Sequence, residues 1–570
     1  MRSGILKIHV YALGGLGENG KNMYIVEVDE AIFILDAGIK YPTSELYGID
    51  EIIPDYRVLT NKKDKIKGFF MSHAHEDHIG SLTHMIRELR APIFATAFTM
   101  EIIKDNFKEK KLNLANFEFN VIDDSSLLTF GDVKVSFVKT THSIPESVAI
   151  VIETKDGAIL YTSDFTLNQS SDKNYQTDFT KLTKLAENKV TLLMVESLGS
   201  ILATDGGREE KLTNEITKVF QRATDRIIVS LFSSDLQKIQ KVINIALKFD
   251  KRIAIIGRKA QKIVDIAIDK HYLVVPKNRL INLKFIDDKN KNDDPDLVCL
   301  VTGDRHEPFY MLQRMVNKSD RLIHINNDDT ILVVTSPIPG TEKMAAKTLD
   351  TLYRTEAKIN VIEKDYLTIN HATKDEVKMM ISLTNPHYIM PVIGDYRMQF
   401  EVREIAKEMG YSKENVFLLD NGDLLKIING KATMQKHRFR HGDILIDGSD
   451  VGNLNDIVIH DREMLSQDGV LIIIGHINPR TKEIKGEIEV ITKGFLTSSD
   501  LDEVKKEVIV IYQNECFNHF KNRFINWNDL KLNIRDEVNK YLYQTLRKRP
   551  VTVPVLISTE QSETDRNIQT

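Results

Sequence analysis

Short apolar runs alternate with turn residues through the first 200 positions of the chain. This pattern is typical of strands, and the predicted strands are residues 5–12, 23–28, 31–35, 68–71, 93–95, 133–139, 148–153 and 158–161. Apolar residues at helical spacing are fewer here, and they predict helices most clearly at residues 81–89 and 97–110. Many strands with helices between them predict an α/β sandwich, in which helices cover two packed sheets.

A regular alternation of helix and strand begins near Glu209. The predicted helices are residues 210–224, 235–248 and 260–270, and the predicted strands are residues 226–231, 252–256, 297–301 and 330–334. Such alternation is typical of a parallel sheet. The segment is therefore predicted to be an inserted α/β domain that ends near Asp365.

The remaining chain returns to mixed units. Helices are predicted at residues 374–383 and 400–409, and strands at residues 387–392 and 416–419. Residues 441–469 are predicted to form short strands with glycine turns, followed by a final α/β unit at about residues 500–556. Residues 559–570 are polar with mixed charge and are predicted to be disordered.

The bulk composition is that of an ordinary globular protein. The chain has 570 residues, of which 42% are hydrophobic and 28% are charged, which allows roughly three or four domains. A net charge of −5 argues against general nucleic-acid binding but leaves a local basic groove possible. Two cysteines, and no run of about 18 apolar residues, predict a cytoplasmic protein without a membrane span.

Residues 73–78, His-Ala-His-Glu-Asp-His, follow a segment that is predicted to be a buried strand. Imidazole and carboxylate groups are the usual ligands of zinc and manganese, and four of them at this spacing can serve two ions from one turn. The alternative is a polar surface loop with scattered histidines, which is much less probable for so dense a cluster. The motif predicts a metal site.

Two further candidate ligands follow later strands. His142 comes after the strand predicted at residues 133–139, and Asp164 after the one at residues 158–161. Alone, each would more often be a structural group. Together with residues 73–78 they give H-x-H-x-D-H, then one histidine, then one aspartate, and in this pattern the chain resembles the metallo-β-lactamase superfamily.

The resemblance implies two divalent ions per subunit, which are either zinc or else manganese or magnesium. It assigns one ion to His73, His75 and His142, the second to Asp77 and His78, and a bridging role to Asp164. Asp77 would also be catalytic. Two such ions activate water at neutral pH and neutralise charge on the attacked group. Asp36 matches the superfamily's aspartate that orients a ligand, although a strand-end turn residue is an equally good interpretation.

The inserted domain is similar to the β-CASP domain of nucleases, and nearly the whole chain resembles bacterial ribonuclease J. The supporting segments are residues 14–18 (GGLGE), 141–145 (THSIP), 336–340 (SPIPG), 392–398 (VIGDYRM) and 547–550 (RKRP). The resemblance implies an αββα sandwich in two parts, a β-CASP insert, a linker and a small C-terminal α/β oligomerisation domain before the disordered tail. The two parts of the sandwich would be residues 1–208 and 371–447, and the β-CASP insert residues 209–370. The linker would be residues 448–485, the C-terminal domain residues 486–558 and the tail residues 559–570.

The chain departs from the family pattern at one metal ligand. Where the family has Pro-Val-His, with the histidine on the second metal, this chain has Pro391-Val392-Ile393. Isoleucine binds no metal, so the second site is expected to be weak.

The phosphate pocket is altered as well. The family's Thr-Gly-Ser-Gln-Gly-Glu-Pro reads TGDRHEP at residues 302–308, which puts an anion, Asp304, beside the compensating Arg305. The family's His-Val-Ser-Gly-His reads LTINH at residues 367–371, so that only the last histidine, a candidate general acid, survives. The resemblance assigns substrate binding to Ser233, Asp304, Arg305, Thr368, Asn370 and His371.

Two functions follow from the resemblance. The first is a metal-dependent ribonuclease in RNA maturation and mRNA decay, a 5′–3′ exoribonuclease on single-stranded RNA with endonuclease capacity and weakened activity. The second is a poorly catalytic subunit that stabilises an active type 1 ribonuclease J paralogue in an RNA-degrading complex, as the family's second paralogue does. A homodimer or homotetramer is expected in either case. A small-molecule hydrolase would need only the metal motif, and the insert argues against it.

Overall fold

The computed structural model describes most of the chain, with short gaps. The described residues are 6–42, 48–168, 170, 172–202, 208–257, 261–285, 294–338, 341–367, 370–448, 450–451, 456–496 and 501–559. They divide into one compact unit of Met1–Tyr41 and Glu51–Ile446 and another of Pro42–Asp50 and Asp447–Thr570. The tail predicted to be disordered is residues 559–570, and all of it except Thr559 lies outside the described ranges. No helix within those ranges is long and apolar enough to cross a membrane.

The first 200 residues are rich in strands, as their alternating pattern predicts. The strands are β1 (Lys7–Gly14), β2 (Met23–Val28), β3 (Ala31–Leu35), β4 (Glu51–Pro54), β5 (Ile66–Phe70), β6 (Ile93–Ala95), β7 (Phe119–Val121), β8 (Leu127–Phe130), β9 (Val133–Lys139), β10 (Val148–Thr154), β11 (Gly157–Tyr161) and β12 (Val190–Glu196). The α-helices are α1 (Glu76–Ile79), α2 (Leu82–Leu89), α3 (Ala97–Glu109) and α4 (Phe179–Glu187), and 3-10 helices lie at Tyr56–Lys65, Leu114–Asn116 and Lys173–Tyr175.

The insert is a parallel sheet flanked by helices. Its elements are α5 (Arg208–Arg222), β13 (Ile227–Phe232), α6 (Leu236–Lys248), β14 (Arg252–Ile256), α7 (Gln261–Asp269), β15 (Leu280–Ile281), β16 (Leu297–Gly303), α8 (Glu307–Val316), β17 (Thr330–Val333), α9 (Glu342–Tyr353) and β18 (Lys358–Val361). The strand order is β15-β14-β16-β13-β17-β18, and every pair is parallel. The expectation of a parallel α/β insert is confirmed.

The chain then returns to the first domain and continues to the C-terminus. The returning elements are α10 (Lys374–Thr384), β19 (Tyr388–Val392), α11 (Tyr396–Glu408), β20 (Leu424–Ile428), β21 (Lys431–Gln435) and β22 (Asp443–Asp447). The C-terminal elements are β23 (Asp450–Val451), α12 (Asp456–Asp468), β24 (Val470–Asn478), β25 (Glu483–Lys493), α13 (Leu501–Phe520), α14 (Trp527–Leu546) and β26 (Val551–Ser558). The strand predicted at residues 416–419 is reduced to one bridge between Val416 and Ile389.

Two sheets form the predicted sandwich. Their strand orders are β21-β20-β1-β2-β3-β5-β6-β7 and β19-β12-β11-β10-β9-β8. Alternate residues of β1 (Ile8, Val10) and β9 (Val135, Phe137) point into one buried core between the sheets. Helices α4, α10 and α11 cover the outer face of the second sheet through a separate apolar cluster. Helices α2 and α3 cover the outer face of the first sheet, so the predicted αββα architecture is confirmed.

The C-terminal domain is built around β24. This strand pairs antiparallel with β25 and parallel with β26, and its alternate residues pack on α13 and α14. Gly475 on β24 is required by this packing, because a Cβ there would lie 2.0 Å from Tyr512 Oη. Residues 448–485, expected to be a linker, thus contain the central strand of this sheet. The stretch 441–469, expected to be short-stranded, contains the 13-residue helix α12.

Candidate metal centre

The polar residues of the candidate centre lie where strands of the sandwich end. Residues 73–78 follow β5, and Asp36 follows its parallel neighbour β3. In the second sheet, His142 follows β9 and Asp164 follows β11. Strands β9 and β11 are both antiparallel to β10 and therefore run in the same direction, so that their ends deliver both side chains to one edge.

Three imidazoles and one carboxylate converge at the first half of the centre. Nε2 of His73 and Nε2 of His142 lie 3.0 and 3.1 Å from Nδ1 of His75. Oδ2 of Asp164 is 3.8 Å from His73 Nε2 and 3.6 Å from His142 Nε2. Ligands at about 2.1 Å from a tetrahedral ion are roughly 3.4 Å apart, so this spacing fits one divalent ion. Oδ1 of Asp164 is buried and has no hydrogen-bond partner among the described residues, as expected of a carboxylate that binds a cation.

Neighbouring groups fix which ring nitrogen of His73 and of His75 is free of a proton. Burial lowers the pKa of both His73 and His142 well below its usual range. Ser72 Oγ donates to Asp36 (2.8 Å) and therefore accepts from Nδ1–H of His73 (3.0 Å), which leaves Nε2 as the free lone pair. Nε2 of His75 lies 3.1 Å from the carbonyl oxygen of Ser234, which can only accept, so Nδ1 of His75 faces the cluster unprotonated.

The second half of the centre has fewer ligands. His78 donates its Nδ1–H to Asp36 (2.8 Å), and its Nε2 lies 3.4 Å from Oδ2 of Asp164 and 3.5 Å from Oδ2 of Asp77. Burial lowers the pKa of His78, but the charges of Asp77, Asp164 and Asp36 outweigh it and raise that pKa well above its usual value. The side chain of Asp77 is 35% exposed, whereas those of His78 and Asp164 are buried. The amide of Asn22 completes the surroundings at 3.2 Å from His78 Nε2.

Ile393 supplies no ligand to this half. Its side chain is fully buried in the apolar core between the sheets. Its backbone is left-handed, with φ +57°, which costs a β-branched residue about 1–3 kcal/mol. The conformation is held by hydrogen bonds from Ile393 N–H to Tyr24 Oη (3.0 Å) and from Ser197 Oγ to the Ile393 carbonyl (2.7 Å).

A buried acid, Glu196, pairs with the partly exposed imidazole of His371 beside the centre. Glu196 ends β12, and its Oε1 accepts the backbone N–H groups of Phe165 and Ala372, both at 2.8 Å. Its Oε2 lies 3.0 Å from Nδ1 of His371, which is itself 3.8 Å from Asp164 Oδ2. Burial lowers the pKa of His371, but the charges of Asp164 and Glu196 raise it above its usual value. The pair can hold a protonated imidazole beside the metal ligands.

Two of the residues assigned to substrate binding on the insert, Ser233 and Asp304, contact each other, and the third, Arg305, contacts Tyr41. The hydroxyl of Ser233 donates to the Asp304 carboxylate. Arg305, also in the left-handed region at φ +50°, stacks its guanidinium 4.2 Å from the ring centroid of Tyr41. The hydroxyl of Tyr41 donates in turn to Glu76, whose pKa is raised by burial and by the charge of Asp304.

The remaining assigned residues come from the chain that leaves the insert. Asn370 donates its amide N–H to Asp235 (3.1 Å), and His371 joins Glu196 as described. Thr368 lies outside the described residues. The structure thus brings His371 to the metal ligands and keeps Asn370 near the start of α6.

Several polar residues at the centre have no counterpart in the sequence prediction. Among them are Asn22, Glu196 and Tyr161, whose hydroxyl donates to Asp36 at 2.7 Å. Glu196 carries a usable signal, because an acid at the end of an apolar strand also marks Asp36 and Asp164. Asn22 and Tyr161 carry none, because a polar residue beside a strand, or a tyrosine within one, is common in any sandwich.

Comparisons with known proteins agree with this architecture. A model of the metallo-β-lactamase superfamily matches residues 16–230, a model of the ribonuclease J β-CASP domain matches residues 224–352, and a model of the ribonuclease J C-terminal domain matches residues 457–559. A crystal structure of a protein of unknown function from Enterococcus faecalis V583 aligns over 74% of this chain and 100% of its own, with a TM-score of 0.51 and 16% identity, which supports the fold alone.

Two relatives span almost the whole chain. Ribonuclease J 2 of Staphylococcus aureus is 32% identical over 549 residues, which are 96% of this chain and 98% of that protein. Ribonuclease J2 of Bacillus subtilis is 31% identical over 550 residues, with the same coverage. Identity at this level over this length, together with the matching domains, shows that the chain belongs to the ribonuclease J family.

Proposed function

We propose that this protein is a metal-dependent ribonuclease that hydrolyses phosphodiester bonds of single-stranded RNA. The observation that carries the proposal is the convergence of His73, His75, His142 and Asp164, whose ring nitrogens and carboxylate oxygen make four contacts of 3.0–3.8 Å. These four residues would hold a divalent ion. Zinc fits the nitrogen-rich set, and manganese fits a centre that is completed by carboxylates.

A bound divalent ion would lower the pKa of water and neutralise charge on the phosphate under attack. The chain itself supplies the proton for the leaving oxygen. His371 has a raised pKa and is therefore charged at neutral pH, and Glu196 fixes its ring through the 3.0 Å contact to Nδ1. The opposite nitrogen, Nε2, is left to donate to the leaving group. We assign general-acid catalysis to His371 and a positioning role to Glu196.

RNA would approach along the insert. A small cleft opens beside His142 and Asn370, at the first turn of α6. The two lysines in its wall, Lys238 and Lys241, are each 2.7 Å from a carboxylate, of Asp235 and Glu209 respectively. Their charge is thus partly offset, which supports weak, salt-sensitive RNA binding.

The test is a manganese-supplemented assay on 5′-monophosphorylated single-stranded RNA. We expect 5′–3′ exonucleolytic products from the wild type, with some internal cleavage, and none from His75→Ala. A wild type that binds ions but leaves both 5′-labelled and internally labelled RNA intact would contradict the proposed activity.

The second candidate function is a poorly catalytic subunit that stabilises a type 1 paralogue, and the apolar Ile393 is the observation that favours it. Mixing this chain with such a paralogue distinguishes the two. Unchanged activity of the mixture when His75→Ala replaces the wild type would favour the scaffold. We assign association, as a homodimer, homotetramer or hetero-oligomer, to the C-terminal domain. The buried free thiols of Cys299 and Cys516 support a reducing, cytoplasmic location.

A further inference from the structure

The side chain of Asn22 lies against both residues that belong only to the second half of the centre. It is fully buried, with Nδ2 3.2 Å from His78 Nε2 and 3.4 Å from Asp77 Oδ2. The backbone holds it there, because Asn22 N–H donates to the Asp77 carbonyl (3.1 Å) and Gly38 N–H donates to the Asn22 carbonyl (2.9 Å). Asn22 is therefore attached to the turn that carries these ligands.

The other end of the amide contacts a buried hydroxyl. Tyr24 Oη lies 3.2 Å from Asn22 Oδ1, 3.1 Å from the Gly15 carbonyl and 3.0 Å from the Ile393 nitrogen. A glycine is required beside it, since a Cβ on residue 15 would lie 2.3 Å from Tyr24 Oη and 2.5 Å from Asn22 Oδ1. Asn22 and Ile393 thus share one partner, although Ile393 turns its side chain into the core.

A count of hydrogens decides how this amide can be oriented. Tyr24 has one hydroxyl hydrogen, and with Oδ1 of Asn22 facing it, that oxygen and the Gly15 carbonyl compete for the hydrogen. A half-turn of the amide exchanges two atoms of nearly equal size. Nδ2 then donates to Tyr24 Oη, Tyr24 donates to Gly15, and Ile393 N–H donates to Tyr24, so that each polar group around Tyr24 has a partner.

The same half-turn points Oδ1 of Asn22 at His78 Nε2 and Asp77 Oδ2. The Nδ1–H of His78 is given to Asp36 (2.8 Å), so a divalent ion that displaces any proton from Nε2 would meet lone pairs on all three atoms. Oδ2 of Asp164, 3.4 Å from His78 Nε2, adds a fourth. With that proton displaced, the four acceptors face one another, and a divalent cation between them would satisfy all four.

We propose that Asn22 takes the place of the histidine missing at position 393, so that a second divalent cation is bound by Asp77, His78, Asp164 and the side-chain oxygen of Asn22. This rests on the metal centre of the proposed function. One imidazole and three oxygens form a harder ligand set than the three imidazoles and one carboxylate of the first half. The second half therefore favours manganese or magnesium over zinc.

The experiment is a titration of the metal-free, full-length chain with Mn²⁺ alone, followed by calorimetry and by electron paramagnetic resonance of unbound Mn²⁺. We expect two ions per chain for the wild type. Asn22→Leu keeps the shape of the side chain without its oxygen. It should lower the affinity for the second ion at least about tenfold and leave the affinity for the first unchanged. Asn22→Asp presents an oxygen in either orientation and should raise the affinity for the second ion. This variant also tests the proposal if the leucine variant does not fold. Asn533→Leu on the exposed face of α14 is the matched control.

The outcomes separate this inference from the function on which it rests. One ion per wild-type chain at saturating Mn²⁺ overturns the role of Asn22, and so do two ions that Asn22→Leu binds as tightly as the wild type does. A second ion that is equal or weaker in Asn22→Asp overturns it as well. A wild type that binds no ion at all contradicts the proposed function itself.

Discussion

The two halves of the metal centre share Oδ2 of Asp164 but are built differently. In the first half, Nε2 of His73 and Nε2 of His142 lie 3.0 and 3.1 Å from Nδ1 of His75, and separate groups fix the tautomers of His73 and His75. One of these groups is the Ser234 carbonyl, which belongs to the insert. In the second half, one imidazole faces a partly exposed carboxylate and an amide, and the family's additional ligand is replaced by a buried isoleucine. The first half is specified by many contacts from both domains, whereas the second depends on few, so substitutions should affect the two unequally.

The largest expected effect is the loss of a first-half ligand. His142→Ala should lower the rate of RNA hydrolysis roughly a thousandfold, because the ion supplies several kcal/mol of charge stabilisation. His78→Ala should lower it only about ten- to a hundredfold. The measurement is the initial rate on 5′-monophosphorylated RNA with Mn²⁺. His460→Ala, with a side chain that is 69% exposed, is the control, and equal losses for His142→Ala and His78→Ala would show that the two halves are equivalent.

Asp36→Asn should have the next largest effect. The Asp36 carboxylate accepts hydrogen bonds from His78, Ser72 and Tyr161 at 2.7–2.8 Å, and an amide cannot accept all of them. We expect ion binding to weaken about ten- to a hundredfold, and more at the second half, because Asp36 contacts His78 directly. Mn²⁺ titration measures this, with the exposed Asp132→Asn as the matched substitution. An equal loss of affinity for both ions would mean that Asp36 supports the whole turn of residues 73–78.

Ile393→His should strengthen the second half about tenfold in Mn²⁺ affinity, and it should raise the rate of hydrolysis. Histidine adds a nitrogen donor and tolerates the left-handed backbone better than isoleucine does. Ile393→Asn relieves the same backbone strain without an imidazole and separates the two effects. If both variants bind Mn²⁺ as the wild type does, position 393 does not reach the ion.

The smallest expected effect concerns the phosphate pocket. Asp304→Ser removes one negative charge and frees the hydroxyl of Ser233. We expect kcat/KM for 5′-monophosphorylated RNA to rise about fivefold relative to 5′-hydroxyl RNA, which corresponds to about 1 kcal/mol. The exposed Asp328→Ser should leave this ratio unchanged. An unchanged ratio for Asp304→Ser would show that the Asp304 carboxylate does not weaken recognition of the 5′ phosphate.

The sandwich was predictable because its strands carry an uninterrupted apolar pattern. The strands predicted at residues 23–28, 31–35 and 133–139 coincide with β2, β3 and β9. The helix at Asp456–Asp468 was not predicted, because the Ile457-Val458-Ile459 run has β-branched side chains that favour a strand in isolation. Here tertiary context outweighs local preference.

The sequence by itself determined the family and the domain types, and it predicted the residues of the first half of the candidate metal centre. These are encoded by residue types at short spacing and by the apolar period of each strand. Only the tertiary structure decided how Asn22, Tyr24 and Ile393 meet at the second half, and how Glu196 reaches His371. These partners are separated by 2 to 371 positions (393 − 22 = 371) in the chain. The physical reason is that each contact depends on the close packing of two sheets and an insert, and a hydrogen bond between distant residues leaves no periodic trace in the chain.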